Sequence, residues 1–188
     1  MEKRTKPGDM GGDTRLKKIV VTGPESTGKT TLTEALALNL DVPWIPEYAR
    51  SYVEGLHRPY TYEDVENIAR YQVRQEEEFS ASFGSSVLFM DTWLIMTKVW
   101  FEVVYGSSPE WIERYISSAK IDLFLVCSPD LPWIDDPVRE NGGEMRNKLF
   151  ELYCHEITSH GFTFEIVEGL GEIRLLNGLK FLNQHKII

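Results

Sequence analysis

The residues most suited to chemistry are GPESTGKT at positions 23–30, which match the phosphate-loop pattern G-x-x-x-x-G-K-T. Glycines let the backbone curl so that successive N–H groups point at phosphate oxygens. The lysine can reach the β- and γ-phosphates, and the threonine hydroxyl can bind Mg²⁺. We therefore expect ATP and Mg²⁺ to bind at Gly23, Glu25, Ser26, Thr27, Gly28, Lys29, Thr30 and Thr31.

A carboxylate follows the second strongly apolar run, VLFM, at Asp91. An acid at the end of a buried strand beside a phosphate loop can join Thr30 in the Mg²⁺ shell or accept a proton from a nucleophile. The alternative is that Asp91 only caps a helix beginning at Thr92. We favour the functional role because a phosphate loop requires an acidic partner.

Residues 133–146, WIDDPVRENGGEMR, form a candidate lid. Its proline and glycines are typical of a segment that can change conformation, and closing it would place Arg139 and Arg146 on the transferring phosphoryl group. The alternative is that both arginines are solvated surface charges. We predict catalytic roles for these arginines together with Lys29 and Asp91.

The acceptor of the phosphoryl group is expected at a neighbouring strand end, where open α/β sheets bind ligands. Glu47, Tyr48 and Arg50 follow the second predicted strand and are suited to hydroxyls, a flat ring and a phosphate. Trp93, just after Asp91, is suited to stacking on a ring, and a cationic ring would gain cation–π attraction. The alternative places Tyr48 and Trp93 in the core.

Composition narrows the class of protein. The formal charge of −9 is typical neither of a duplex nucleic-acid binder nor of a polybasic membrane anchor, and no stretch is long enough to span a membrane. Cys127 and Cys154 lie far apart, so we expect no disulfide framework or zinc site and a cytoplasmic location. The oligomeric state stays open.

Short apolar runs alternate with helical patterns, which predicts an α/β domain with a parallel sheet of about five strands flanked by helices. Residues 1–15 are predicted to be a disordered leader and residues 16–188 a single domain. Within a long helix over 61–82, the Glu76–Glu78 run is interpreted as a solvated face. The predicted strands are 17–22, 42–46, 86–91, 121–127 and 162–167, and the other predicted helices are 29–40, 48–55, 92–105, one beginning at Ser108–Glu110, 144–160 and one at the C-terminus.

Other phosphate-loop proteins fit the sequence less well. A switch GTPase needs an NKxD motif, whereas Asn147-Lys148 is followed by Leu149-Phe150, and the signature of a transporter ATPase is absent. The chain is also short for a motor ATPase with a helical lid domain. A small-molecule kinase fits best, and a regulatory ATPase module remains the alternative from another class.

Several stretches together resemble the ribosylnicotinamide kinase domain of the NadR type: GPESTGKTTL, PEYARSYV, FMDTWLIMTKVW, DLFLVCSPDLPWIDDPVRE and MRNKLFELY. The resemblance implies a fold like that of nucleoside monophosphate kinases, with a lid. It also implies ATP-dependent phosphorylation of the ribose 5′-hydroxyl of nicotinamide riboside, which gives nicotinamide mononucleotide for NAD synthesis.

By position, the resemblance implies a phosphate role for residues 23–30, a metal or base role for Asp91 and a lid role for Arg139 and Arg146. Glu47, Tyr48, Arg50 and Trp93 are the acceptor-side candidates. No pattern for the adenylyltransferase or helix-turn-helix domains of NadR is found, so neither activity is expected. Another nucleoside or a nucleotide stays open as the acceptor.

Overall fold

A computed structural model describes residues 15–82, 86–137 and 139–188. The predicted leader, apart from Arg15, and Val138 of the candidate lid lie outside these residues. The strands are β1 Lys17–Thr22, β2 Trp44–Ile45, β3 Val87–Asp91, β4 Leu123–Cys127 and β5 Phe164–Val167. The helices are α1 Lys29–Leu40, α2 Tyr48–Glu54, α3 Tyr62–Ser82, α4 Leu94–Tyr105, α5 Glu110–Ser118, α6 Glu144–Ser159 and α7 Glu172–Gln184.

The five strands form one parallel sheet in the order β2-β3-β1-β4-β5, which confirms the predicted fold class. Strand β1 is central and pairs with β3 on one side and β4 on the other. The connecting helices cover both faces of the sheet, and every residue of β3 and β4 is buried. This burial explains their continuous apolar sequences.

Successive residues of each strand point to opposite faces and therefore enter two separate cores. On one face, Val20 and Phe124 pack with residues of α3, α4, α5 and α6. On the other face, Val21 and Leu125 pack with residues of α1 and α7. Because α1 begins directly after the phosphate loop, the second core fixes the helix that carries the loop.

The predicted boundaries differ from the observed ones where backbone geometry intervenes. Helix α4 begins at Leu94 rather than Thr92, because Thr92 has a positive φ of 68° and cannot join a right-handed helix. A helix start at Ser108–Glu110 was predicted with Ser108 as the N-cap, but α5 begins at Glu110 with Pro109 at the N-cap, so the predicted cap is wrong. Strand β2 is only two residues long and lies between Pro43 and Pro46.

The predicted solvated face of α3 is wrong for Glu76, which is 3% exposed. Its carboxylate accepts hydrogen bonds from Lys18 Nζ at 2.7 Å and Trp93 Nε1 at 2.6 Å. The hydroxyl of Tyr115 donates to it at 3.4 Å. Glu76 therefore joins α3 to β1 and α5, in the manner expected of a buried charge with partners.

Gly23 directly follows β1 and lies in a space too small for a side chain. Its φ is +141°, and a Cβ built there would lie 2.7 Å from the Cys127 carbonyl oxygen on β4. We expect Gly23→Ala to lower the free energy of unfolding by at least about 2 kcal/mol, because it adds a clash with backbone to the cost of a positive φ. Urea denaturation measures this loss.

Gly106→Ala is the matched control, since Gly106 also has a positive φ (+80°) but a Cβ added to it would have no atom within 4 Å. This substitution should lose only about 1 kcal/mol. Equal losses for the two variants would contradict the close approach of the loop to β4.

Candidate active site

The loop between β1 and α1 has the backbone geometry of a phosphate cradle. Gly23, Ser26 and Gly28 have φ values of 141°, 59° and 71°, so the chain turns three times through conformations that favour glycine. Gly28 is the N-cap of α1, so the positive end of the helix dipole lies at the loop. An anion at this position would meet both the loop amides and the helix dipole.

Lys29 lies inside the curve of the loop. Its side chain is 9% exposed, and its ammonium donates a hydrogen bond to the Pro24 carbonyl oxygen at 3.0 Å. The Thr27 hydroxyl donates to the same oxygen at 2.7 Å. The lysine ammonium thus bonds to a neutral carbonyl oxygen, and the charged oxygens of a triphosphate would be stronger acceptors for it.

Asp91 and Thr30 meet at the mouth of the loop. The pairing of β3 with β1 places Asp91 opposite Val21, one strand away from the start of the loop. The Thr30 hydroxyl donates to Asp91 Oδ2 at 2.5 Å, whereas the buried Oδ1 has no protein partner. Burial, followed by the negative charge of Glu47, raises the pKa of the Asp91 carboxyl to about 6.

These donors fit Mg²⁺, which binds through oxygen atoms and often uses only one or two protein ligands together with phosphates and water. Thr30 supplies a hydroxyl, and Asp91 supplies a carboxylate with one unsatisfied buried oxygen. Among the residues described, no group of three or more His, Cys, Asp or Glu side chains could hold a metal by itself. A magnesium ion here would therefore need nucleotide oxygens to complete its shell.

Thr92 is a strained residue that the sequence did not reveal. It combines a positive φ of 68° with a β-branched side chain, and its buried hydroxyl has no protein partner. Such a conformation costs about 1–3 kcal/mol and occurs most often at functional sites. The strain turns the chain sharply after Asp91 and leaves that carboxylate at the strand end rather than inside α4.

A cavity of about 410 Å³ extends from the phosphate loop across the ends of β2 and α4. Glu47, Arg50 and Arg139 are among the residues that line it. Glu47 is the N-cap residue of α2, yet its side chain makes no capping hydrogen bond, so the carboxylate is not committed to its own helix. Arg50 bonds Asp136 of the candidate lid at 2.7 Å.

Two aromatic residues form part of the cavity lining, here called the aromatic wall: Tyr60 and Trp100, whose ring centroids are 4.9 Å apart. Neither residue was identified from the sequence. The available pattern was in α4, where Met96, Trp100, Val103 and Val104 follow an i, i+4, i+7, i+8 spacing and line the cavity. Val103 and Val104 are accordingly 40% and 47% exposed.

The two aromatic residues predicted for the acceptor lie elsewhere. Trp93 is 2% exposed, bonds Glu76 and contacts the rings of Phe124 and Phe162, so the structure gives it a core position and not a place on the cavity wall. Tyr48 stacks on Tyr71 with ring centroids 3.8 Å apart. Together with Asp91 and Trp93 it lines a separate recess of about 10 Å³, roughly the room needed for one water molecule.

The candidate lid is joined to the phosphate loop by Glu25. Its carboxylate accepts the backbone N–H groups of Glu140 at 3.2 Å and Asn141 at 2.7 Å. The Glu140 carboxylate in turn accepts the Tyr60 hydroxyl at 3.0 Å. The Glu25 side chain therefore holds the lid segment to the loop, which leaves only its backbone for the predicted role in nucleotide binding.

The two lid arginines differ in position. Arg139 lines the cavity, is half-buried and donates to the Ile134 carbonyl oxygen at 2.6 Å. Arg146 is 7% exposed and directs all of its observed hydrogen bonds at backbone carbonyls of the phosphate loop and Leu131. Arg139 therefore lies on the cavity wall, whereas Arg146 bonds to the loop backbone and does not line the cavity; the phosphoryl contact of both arginines stays a prediction.

The sheet order, the loop between β1 and α1, and the acid that ends β3 define a phosphate-loop nucleotide-binding domain of the kind found in nucleoside monophosphate kinases. Residues 18–174 match the family model described as an AAA domain. The chain belongs to this AAA domain family.

The chain is also similar to the trifunctional NAD biosynthesis/regulator protein NadR of Escherichia coli (strain K12), with 28% identity over 160 residues. The match covers 81% of this chain and 38% of that protein, so the chain spans little more than a third of this relative. Similar values hold for NadR of Salmonella typhimurium (strain LT2), with 28% identity over 142 residues, 72% of this chain and 34% of that protein.

A crystal structure of NadR in complex with NR superimposes with a TM-score of 0.79 at 24% identity, covering 92% of this chain and 52% of that one. Deoxyadenosine kinase from M. mycoides, with products bound, gives a TM-score of 0.63 at 15% identity, covering 89% of this chain and all of that one (100%). Both likenesses show the shared kinase-like fold.

In the described residues, no helix is both long and apolar enough to cross a membrane.

Asp91→Asn should stabilise the protein while it damages the site. The raised pKa, about 6 instead of 3.8, means that ionised Asp91 disfavours the folded state. This penalty is complete above pH 6, shrinks as the pH falls, and is absent below the unfolded value near 3.8. We expect Asp91→Asn to raise the free energy of unfolding by about 2–3 kcal/mol at pH 8, measured with urea in metal-free buffer.

The gain should decline below about pH 6 and vanish near pH 4. Asp135→Asn, which alters an exposed carboxylate of the candidate lid, is the control and should show no such pH-dependent gain. A stability of the Asp91→Asn variant that equals wild type at pH 8 would contradict the buried, unsatisfied position of this carboxylate.

Proposed function

We propose that this domain is a kinase that transfers the γ-phosphoryl group of ATP to the ribose 5′-hydroxyl of a nucleoside, with nicotinamide riboside as the preferred acceptor. The observation that carries the proposal is the cavity of about 410 Å³ that joins the phosphate loop to the Glu47 carboxylate and the aromatic wall. A site built only for ATP hydrolysis needs no such acceptor chamber. The similarity to NadR supports the choice of nicotinamide riboside.

Glu47 is the best-placed general base. It lines the cavity beside the phosphate loop, and its negative charge is close enough to raise the pKa of Asp91. Its carboxylate makes no capping bond to α2, so an acceptor hydroxyl can bind to it. Asp91 is instead bonded to Thr30 and suits the metal shell.

In the proposed reaction, Glu47 accepts the proton of the 5′-hydroxyl as its oxygen forms a bond to the γ-phosphorus. The bond from this phosphorus to the β–γ bridging oxygen breaks, and ADP leaves with the bonding electrons. Lys29 and the loop amides neutralise the charge on the β- and γ-oxygens, while Arg139 approaches the γ-phosphoryl group from the lid. Bound at Thr30 and Asp91, Mg²⁺ would supply further neutralisation of the phosphates.

The cavity also suits the ring of the proposed acceptor. Nicotinamide riboside carries a positively charged pyridinium ring, which is attracted to the faces of aromatic side chains. Tyr60 and Trp100 are aromatic side chains in the lining of this cavity. Three acidic residues and four basic ones line this cavity (Glu25, Glu47, Glu140, Lys29, Arg50, Arg58 and Arg139), so the attraction of the pyridinium ring rests on the aromatic faces and not on the net charge.

The first test is ADP formation by the purified chain with Mg·ATP, alone and with nicotinamide riboside, nicotinic acid riboside or ordinary nucleosides. We expect ADP formation to depend on a nucleoside and to be fastest with nicotinamide riboside, with mononucleotide formed in equal amount. Nucleoside-independent ATP hydrolysis would support a regulatory ATPase module instead. Faster ADP formation with another nucleoside would support the same reaction but contradict nicotinamide riboside as the preferred acceptor.

Two variants test the phosphate-binding side and the acceptor side of the site independently. Lys29→Met should reduce turnover about 10²–10³-fold by removing the cation at the phosphates. Glu47→Gln should reduce turnover by at least about 10²-fold while ATP still binds, because only proton transfer is lost. Lys120→Met and Glu151→Gln, at exposed positions, are the matched controls. Wild-type turnover by Glu47→Gln would remove this residue from the mechanism.

A further inference from the structure

Two buried arginines hold the outer side of the phosphate loop. Arg146 lies near the start of α6 and is 7% exposed, and Arg174 lies in the first turn of α7 and is 4% exposed. Both are more than 100 residues from the loop in sequence. Cations buried this deeply require strong partners, and these arginines find them in backbone oxygens.

Three consecutive carbonyl groups of the loop each accept a hydrogen bond from one of the guanidinium groups. Arg146 donates from Nε to the Glu25 oxygen at 3.0 Å and from Nη2 to the Ser26 oxygen at 2.7 Å. Arg174 donates from Nη1 to the Thr27 oxygen at 2.8 Å. The carbonyl groups of residues 25–27 therefore all face the arginines.

These contacts determine where the amide N–H groups of the loop point. In a planar trans peptide, the N–H of one residue is directed opposite to the C=O of the residue before it. Holding the carbonyls of residues 25–27 thus turns the N–H groups of Ser26, Thr27 and Gly28 to the opposite side. That side is the inner surface of the loop, where a phosphate would bind.

Arg174 is itself held in place from three directions. Its Nε donates to the Gly169 carbonyl oxygen at 2.7 Å, and its Nη2 donates to the Ser128 oxygen at 3.4 Å and forms an ion pair with Asp130. Asp130 also accepts the Gly169 N–H at 2.7 Å. Only a planar guanidinium can serve these diverging acceptors together, because a lysine ammonium concentrates its charge at one point.

The two guanidinium groups also place positive charge behind the loop. Burial lowers the pKa of Arg146; the Asp130 carboxylate offsets part of this effect, and the positive charges of Arg174 and Arg139 lower the pKa further. An anion on the inner side of the loop would relieve this repulsion. Charge and backbone orientation therefore favour the same ligand position.

We propose that Arg174 is a positioning residue for nucleotide binding, which fixes the Thr27 peptide so that the Gly28 N–H is directed at a phosphate before ATP arrives. The proposal rests on the proposed function, because it requires ATP at the loop. Preorganised donors bind a charged group without a cost of reorganisation. Arg146 acts in the same way on the two preceding peptides.

Arg174→Lys tests this role, with the Kd of Mg·ATP measured by calorimetry, the KM values of ATP and nucleoside by kinetics, and Tm by thermal unfolding. We expect the Kd and KM of ATP to rise about tenfold, because a charge-assisted bond to the loop is lost. The KM of the nucleoside should stay unchanged. Arg114→Lys, at a 73% exposed side chain on α5, should leave all of these values unchanged.

The outcomes separate this proposal from the proposed function. If the wild-type chain binds no ATP, the proposed function fails. If the wild type binds ATP and Arg174→Lys binds it equally well with only a lower Tm, Arg174 is purely structural and the inference is overturned. If Arg174→Lys does not fold, Asp130→Asn, which removes the anchoring carboxylate, should still raise the Kd of ATP about threefold, and unchanged affinity would then overturn it.

Discussion

The tight reversal of the chain between β1 and α1 is the constraint on which the remaining structure depends. A Cβ added to Gly23 would lie only 2.7 Å from the Cys127 carbonyl oxygen on β4, so the loop packs closely against the sheet. The peptides that follow expose their carbonyls outward and their amides inward. A backbone in this state is favourable only if both sets of polar groups find partners.

The chain meets this demand on the outer side with its own residues. Arg146 and Arg174 satisfy the carbonyls of residues 25–27, and the two helices that carry them are packed on opposite faces of the sheet. The inner side is served less completely. Asp91 keeps one unsatisfied buried oxygen there, and Thr92 is held in a strained conformation beside it. These features lower the stability of the folded protein at the site, and binding of a charged ligand there would raise it.

The fold and the phosphate loop were predictable because their determinants are local. Apolar runs identified all five strands within a few residues, and the loop motif identified the turn. The environments of single side chains were not predictable in the same way. Glu76 follows a run of acidic residues yet is buried by Lys18 and Trp93, which come from distant parts of the chain. Arg146 was predicted as a residue of the candidate lid, and only the packing of α6 shows that it bonds to the loop backbone.

The acceptor side illustrates the same limit. Tyr48 and Trp93 have the residue types of a ring-binding site, but long-range packing assigns them to a tyrosine stack and to the core. Trp100 lines the cavity because α4 is apolar on two faces and only one of them meets the sheet, and Tyr60, which precedes α3, packs against Trp100. Which face does so depends on the orientation of the whole helix.

The most direct test of the central claim is a titration of ¹⁵N-labelled protein with Mg²⁺ and a non-hydrolysable ATP analogue, followed by the amide resonances of the loop. Inward-facing amides that bind phosphate should give large downfield shifts of the proton signals of Ser26, Thr27 and Gly28 at saturation. Unchanged resonances for these three residues, with the analogue either unbound or bound elsewhere, would contradict the account.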